Sequence, residues 1–460
     1  MLLNLTDRSS VILRDNLRIS DEFRPLRALH YLGSKLRMLE FIKDVADKED
    51  PSKGAIIDLF SGAGSVSHYF SNSRRVISVD IQEYSKVICR ALLNPCTDKE
   101  ILNYGDRMRL SSIKAKIEKT VYPLIAYEKN IIDLGEKGDL EPLCNFLENC
   151  SLYGFIDGVS QNSSRYPLKV ALNNSMELIN KLDSNTPLAT LYFGGVYYSF
   201  EQAAHIDVIL HEINNAPLKY QNTLMAALLS TASDIVNSVG KQFAQPIRPR
   251  KKNGEPKPKL MQQLSKDRYL CVFNKFQEWL EKYTNLKQPL TGHEVHCIDY
   301  RNALDNIPDD VKIVYADPPY TRDHYSRFYH GLETLCLQDY PKISETTIGG
   351  SLRLSRGLYR LERHQSPFCI KSQAPKAFND LFEKVAESGK ILMLSYSPYD
   401  KGTKAHPRVL EIEQLLSLAD KYFNHVKTHS PGIFIHSKLN HSEKHLKASD
   451  NSEIILVCRN

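Results

Sequence analysis

The chain has 460 residues, 42% of them hydrophobic and 25% charged. That is enough for two or three domains with a sizeable core, and it excludes a low-complexity or disordered chain. A net charge of +6 permits a nucleic-acid partner without demanding one. The nine cysteines include no C-x-x-C pair, so neither a disulfide framework nor a zinc site follows, and a reducing compartment fits. The N-terminal stretch has acids and arginines where a secretory signal would be apolar, and no run reaches the roughly 18 apolar residues of a membrane span. A cytoplasmic protein with no membrane partner is expected.

In chain order, the first segment, up to about Asn94, has two short apolar runs ending in acids. "AIIDLF" ends near Asp58 and "VISVD" ends at Asp80. Between them "SGAGSVSHYF" reads as a glycine turn and a helix start, so the segment is a parallel α/β unit. The middle, 99–287, reads as mainly helical. "SFEQAAHIDVILHEI" and "YQNTLMAALLSTASDIV" carry apolar residues at three- and four-residue spacing. It also holds "QPIRPRKKNGEPKPKL", with six basic residues, one acid and four prolines. Such composition forbids a regular helix and predicts an exposed loop. From Pro289 onward strand-like runs return: "EVHCID", "KIVYAD", "KILMLSYS", "GIFIH" and "EIILVC", with "APKAFNDLFEKVAESG" as a helix closed by Gly389. The expected architecture is one discontinuous α/β domain, 20–98 and 288–460, interrupted by a helical insertion.

Two motifs carry chemistry. In "DLFSGAGSVSHYF", Gly62 and Gly64 let the backbone turn sharply and approach a ligand. Asp80, ending the next strand, can accept hydrogen bonds from ribose hydroxyls. The third glycine of a dinucleotide fingerprint is Ser67 here, so a cofactor without a pyrophosphate suits better than a nicotinamide or flavin nucleotide. Asp58 is placed to take the amino group of a methionine moiety. In "VYADPPY", Pro318 and Pro319 stop the strand and fix the chain direction. Asp317 and the Pro318 carbonyl then offer two acceptors beside the flat ring of Tyr320, which matches an exocyclic amino group on a planar base.

Together these motifs resemble the N6-adenine DNA methyltransferases. "DPPY" is similar to their catalytic tetrapeptide and "DLFSGAG" to their S-adenosylmethionine-binding motif. "YLGSK", Tyr31 to Lys35, is similar to their N-terminal cofactor motif, with Ser34 where a second glycine is usual. The motif order, with the insertion between the cofactor and catalytic halves, resembles the Dam-type group. The resemblance covers about 28–95 and 290–460. It implies an S-adenosylmethionine-dependent methyltransferase of Rossmann-like fold, with 99–287 as target-recognition region. It further implies that Asp317, Pro318, Pro319 and Tyr320 are catalytic, and that Tyr31, Gly33, Lys35, Asp58, Phe60, Gly62, Gly64, Asp80 and Asp299 hold the cofactor. The substrate implied is double-stranded DNA with the target base extruded, and the setting is restriction–modification or host defence with a cognate nuclease.

Cytosine N4, RNA adenine, and a non-catalytic binding protein on the same fold are the alternatives. Arg248, Arg250, Lys251 and Lys252 of the proline-rich loop, with Arg322 and Tyr325 after the tetrapeptide, are the expected DNA contacts. "RGLYRLERHQSPFC", Arg356 to Cys369, mixes arginines with Tyr359 and His364, a composition that suits phosphate contact and solvated loop equally. His324, His330 and Glu333 lack the remaining shell of a metal site, and none is expected.

Overall fold

A computed structural model describes residues 25–157, 166–181, 187–348, 350–397, 408–431 and 453–460. The apolar runs form strands β1 (Ala55–Asp58), β2 (Val76–Asp80), β3 (Glu294–Cys297) and β4 (Val311–Ala316). A hairpin follows, β5 (Glu345–Ile348) and β6 (Ser351–Leu354), and then β7 (Ile391–Tyr396), β8 (His425–His429) and β9 (Ile454–Arg459). All but the hairpin join one seven-stranded sheet in the order β3-β2-β1-β4-β7-β9-β8. The strands from β3 to β7 are parallel, and β9 runs antiparallel to both its neighbours. This is the expected α/β architecture.

Side chains alternate across each strand. Ile57, Val79, Val314, Leu392 and Leu394 therefore face one core, covered by the helices Tyr300–Leu304, Ala374–Glu387 and Ile412–Ala419. Ile56, Val76, Ile313, Tyr315 and Met393 face the other, covered by the helices Leu39–Glu49 and Ser65–Phe70. Fully covered faces explain why these strands read as continuous apolar runs. The chain moves outward from β1 to β2 and β3, then returns to place β4 on the other side of β1. That reversal opens a crevice at the carboxyl ends of β1 and β4, where open sheets of this kind bind ligands.

The helices between 99 and 284 pack into a third core. The helix Phe200–Asn214 starts with a reciprocal capping box between Ser199 and Gln202. The same core includes Val87, Ile88, Ala91 and Leu92 of the helix Glu83–Leu93, and Leu332 and Leu335 of the helix His330–Leu337. The helical segment and the sheet segment are thus joined through shared hydrophobic packing. The proline-rich loop is an ordered turn: the backbone of Arg250 bridges Pro256, and Lys251 N–H donates to the Glu255 carbonyl. The expected strand "GIFIH" lies outside the described residues.

Candidate active site

At the reversal point lies a cavity of about 900 Å³ including its open mouth. Its wall combines several stretches, among them Tyr31, Leu32 and Lys35; Leu59 and Phe60 after β1; and Asp80, which ends β2, with Ile81, Gln82 and Tyr84 beyond it. Ile298, Asp299 and Tyr300 follow β3, and Asp317 to Tyr320 follow β4. Tyr325, Ser326, His364, Ser366 and Pro367 close it. The carboxyl ends of four adjacent strands therefore supply most of one site.

The glycine turn is built as expected. Gly62 has φ +52°, and a Cβ there would lie 2.5 Å from the Tyr31 ring. The tyrosine seals the turn and stacks on Tyr329 at 4.8 Å between ring centroids. Gly62 N–H donates to Asp80 Oδ2 at 2.9 Å, and Gln82 N–H donates to Asp80 Oδ1 at 2.9 Å. These donors hold Asp80 on the wall, against burial, which pushes its pKa up. Gly64 and Gly33 also have positive φ, but neither reaches the wall. A Cβ on Gly64 would strike Leu92 and Cys89, so this glycine permits close packing of the helix Glu83–Leu93. Gly33 places its carbonyl 3.2 Å from Lys35 Nζ.

Asp58 lies behind the wall. Its side chain has the same parity as Ile56 and points to the helix Ser65–Phe70, whose Ser67 hydroxyl donates to Oδ2 at 2.7 Å. Oδ1 is buried with no hydrogen-bond partner. Burial, reinforced by Asp317 and Asp80, pushes Asp58 up to about 7. An orphaned acceptor among like charges is suited to an incoming ammonium group. Asp299, on the wall, caps the helix Tyr300–Leu304 by accepting from Arg301 N–H at 2.9 Å. Phe60 packs edge-on against Phe368 at 5.4 Å. With Ile81, Ile298, Tyr300 and Pro367 it makes this end of the cavity apolar between two acids.

The other end is organised by a cation. Lys35 Nζ lies 2.8 Å from Asp317 Oδ2 and 2.9 Å from Glu453 Oε1. Lys35 is only 5% exposed. Burial opposes its charge, but Asp317 and Glu453 outweigh burial and hold its pKa well above the ordinary value. Burial pushes Asp317 up to about 6, Lys35 draws it back, and Glu453 raises it again. Glu453 also accepts from Ser395 Oγ at 3.1 Å. Lys35 thus occupies one oxygen of Asp317 and leaves the other side of the carboxylate toward the cavity. The Pro318 carbonyl accepts no hydrogen bond from any described residue. Tyr320 closes this end, its ring 5.3 Å from Tyr396 and overlain by Arg408 at 5.1 Å.

The structure brings the tetrapeptide, Tyr31, Lys35, Phe60, Asp80, Asp299 and Tyr325 onto one wall. It does not bring the basic loop there. Arg250 is forked onto Glu141 and Glu148, and Lys251 pairs with Glu255 at 2.9 Å. The charges of Arg250 and Lys251 are therefore paired within the chain. Arg248 and Lys252 are exposed, and Arg322 lies in a second, open groove with His324 and Lys371. His330 meets the Phe243 carbonyl, while Glu333 accepts from Glu83 and Tyr84 N–H and caps their helix. Glu453 and Arg408 escaped the sequence reading, and His364, singled out there only for phosphate contact, lines the cavity. The only trace of Glu453 was the acid that opens the strand-like run "EIILVC".

Residues 31–132 and 261–395 match the family described as D12 class N6 adenine-specific DNA methyltransferase. The chain is similar to the type II methyltransferase M.FokI of Planomicrobium okeanokoites, 24% identical over 375 residues, which covers 80% of this chain and 44% of that protein. It is also similar to the modification methylase LlaI of Lactococcus lactis subsp. lactis, 24% identical over 403 residues, covering 86% of this chain and 49% of that protein. The chain therefore spans just under half the length of both relatives.

Proposed function

Since this chain belongs to the D12 class N6 adenine-specific DNA methyltransferases, we propose that it methylates adenine N6 at a specific site in double-stranded DNA, with S-adenosylmethionine as donor. The observation that carries this reading is the half-open Asp317 carboxylate beside the unpaired Pro318 carbonyl, at the mouth of a crevice lined by Asp80 and Asp299. Bound in that crevice, S-adenosylmethionine supplies an electrophilic methyl group. The residues fit it: on the wall, Asp80 toward ribose hydroxyls, and Asp299 and the apolar surface toward its adenine; just behind the wall, the orphaned Asp58 Oδ1 toward its ammonium.

The remaining work belongs to the chain. The exocyclic amine of adenine is a poor nucleophile, because its lone pair is delocalised into the ring. Donating its two N–H groups to Asp317 and the Pro318 carbonyl draws it toward tetrahedral geometry and frees the lone pair. Catalysis is then positioning and preorganised electrostatics, with no covalent enzyme intermediate. Lys35, held by Glu453, keeps Asp317 charged and oriented. Tyr320 supplies a face for the extruded base, and stacking worth about 1–3 kcal/mol offsets the cost of unpairing.

The inserted segment 99–287 is read as the target-recognition region. The names of the relatives, a type II methyltransferase and a modification methylase, support a role in restriction–modification, and a cognate nuclease and a cytoplasmic location belong to the same proposal. Incubation with labelled donor and separate DNA and RNA, followed by nucleoside analysis, tests the function. Label in N6-methyladenine from DNA alone is expected. Label in N4-methylcytosine or only in RNA overturns the substrate, and no incorporation overturns the activity.

A further inference from the structure

Most of the described arginines that are buried or half-buried are held by the chain's own acids. Arg74 is paired with Asp47 and Asp50, Arg268 with Glu128, Arg250 with Glu141 and Glu148, and Arg360 with Asp339. Arg327 and Arg363 differ. Among the described residues neither makes an ion pair with a carboxylate, and the Nε of each is buried without a hydrogen-bond partner. Both guanidiniums lie over one ring, that of Tyr359, at 5.2 Å for Arg327 and 5.7 Å for Arg363. The ring is fixed, because its hydroxyl donates to the Ala244 carbonyl and its edge meets His330 at 5.3 Å.

Two guanidiniums gathered without a counter-ion repel each other and are incompletely solvated. Cation–π contact offsets part of this, about 0.5–2 kcal/mol each. Burial and the neighbouring Arg327 hold Arg363 below its ordinary pKa. Burial, with Arg363 and Arg327, lowers His324 as well, while Asp323 opposes. Such an arrangement is stable when an external anion completes it, and planar forked donors select phosphate. Its place narrows the choice further. Arg327 follows Ser326 and Arg363 precedes His364, and both neighbours line the active-site cavity.

We propose that Arg327 and Arg363, mounted on Tyr359, form the seat for one backbone phosphate of the target strand beside the extruded nucleotide. The seat rests on the DNA-methylation reading above. It anchors the strand next to the cavity mouth, so that rotation of one nucleotide delivers its base to Asp317. The pairing of Arg360 with Asp339 shows that the segment does not simply lack acids; the two unpaired guanidiniums belong to the residues next in sequence to Ser326 and His364 of the cavity wall.

The test compares wild type with R327Q/R363Q and R327K/R363K in equilibrium binding to a mixed-sequence 24-base-pair duplex across potassium chloride concentrations. Loss of one phosphate contact should make the slope of log K against log salt shallower by about 0.9. The lysine pair should restore most of that slope, because it keeps the charge, and S-adenosylhomocysteine affinity should be unchanged in both. Should the glutamine pair fail to fold, methylphosphonate placed singly at each phosphate flanking the methylated adenine replaces it. Wild type should then lose affinity at one position, and R327K/R363K should lose less there. Equal salt slopes in all three proteins, or no sensitive phosphate, overturn the seat while leaving methylation standing. Failure of wild type to bind or methylate any duplex overturns the functional reading itself.

Discussion

Buried carboxylates occur in both halves of the molecule, and they are treated in opposite ways. In the helical half each is satisfied by the chain. Glu128 accepts from Arg268 and from Phe200 N–H, Asp207 accepts from Ala189 and Thr190 N–H, and Asp267 takes Lys241 and Asn237. At the carboxyl edge of the sheet two acids keep an acceptor open. Asp58 leaves Oδ1 without a partner, and Asp317 is held only through Lys35 on one side. The first pattern fixes a fold, because an unpaired buried charge there would cost several kcal/mol. The second holds that cost in reserve for a ligand, the usual signature of a functional site.

Substitutions that exchange the two patterns would break the contrast. The largest effect is expected at Asp317. Asp317→Ala should cut methyl transfer by about 10²–10³-fold or more, with S-adenosylhomocysteine affinity by calorimetry close to wild type. Retained turnover would remove Asp317 from the chemistry. Arg268→Met in the helical half should do the reverse. It strands Glu128, costs about 3–5 kcal/mol in chemical denaturation, and leaves the rate per folded molecule unchanged.

Lys35→Met sharpens the contrast through pH. On the proposed mechanism Asp317 acts as a carboxylate, and burial pushes its pKa up to about 6, so the single-turnover rate should fall as pH drops through that value. Removing the cation raises the pKa of Asp317 further, and the acid limb should move to higher pH. An unshifted profile would make Lys35 a packing residue only. Asp58→Asn should weaken donor binding about 10- to 100-fold, the worth of a charged hydrogen bond, with the maximal rate less affected. The smallest effect belongs to Arg250→Ala. Its guanidinium is already held by Glu141 and Glu148, so stability should change by about 0–1 kcal/mol and the salt slope of DNA binding should stay as in wild type.

The sheet was legible because its strands are covered on both faces, so "AIIDLF", "VISVD", "KIVYAD" and "KILMLSYS" stand out as apolar runs. The edge strand β8, "HVKTH", was not, since only Val426 and the terminal His429 are even half-buried and no alternation marks it. The hairpin β5–β6 was missed for the same reason. Motif spacing gave the tetrapeptide and the glycine turn, whose chemistry is local in sequence. The stretch Arg356 to Cys369 drew notice for its arginines and Tyr359, but its meeting with Arg327 joins separate segments, as does that of Glu453 with Lys35, and no local pattern announces either. In the basic loop the charge was visible, but the ion pairing of Arg250 was not, because its partners Glu141 and Glu148 lie about a hundred residues upstream.

The most direct measurement is a crystal structure of the protein with S-adenosylhomocysteine and a duplex carrying its methylated site. The account predicts an extruded adenine stacked on Tyr320, with its amino nitrogen about 2.7–3.2 Å from both Asp317 and the Pro318 carbonyl. An unextruded base, or an amine bound away from that pair, would contradict it.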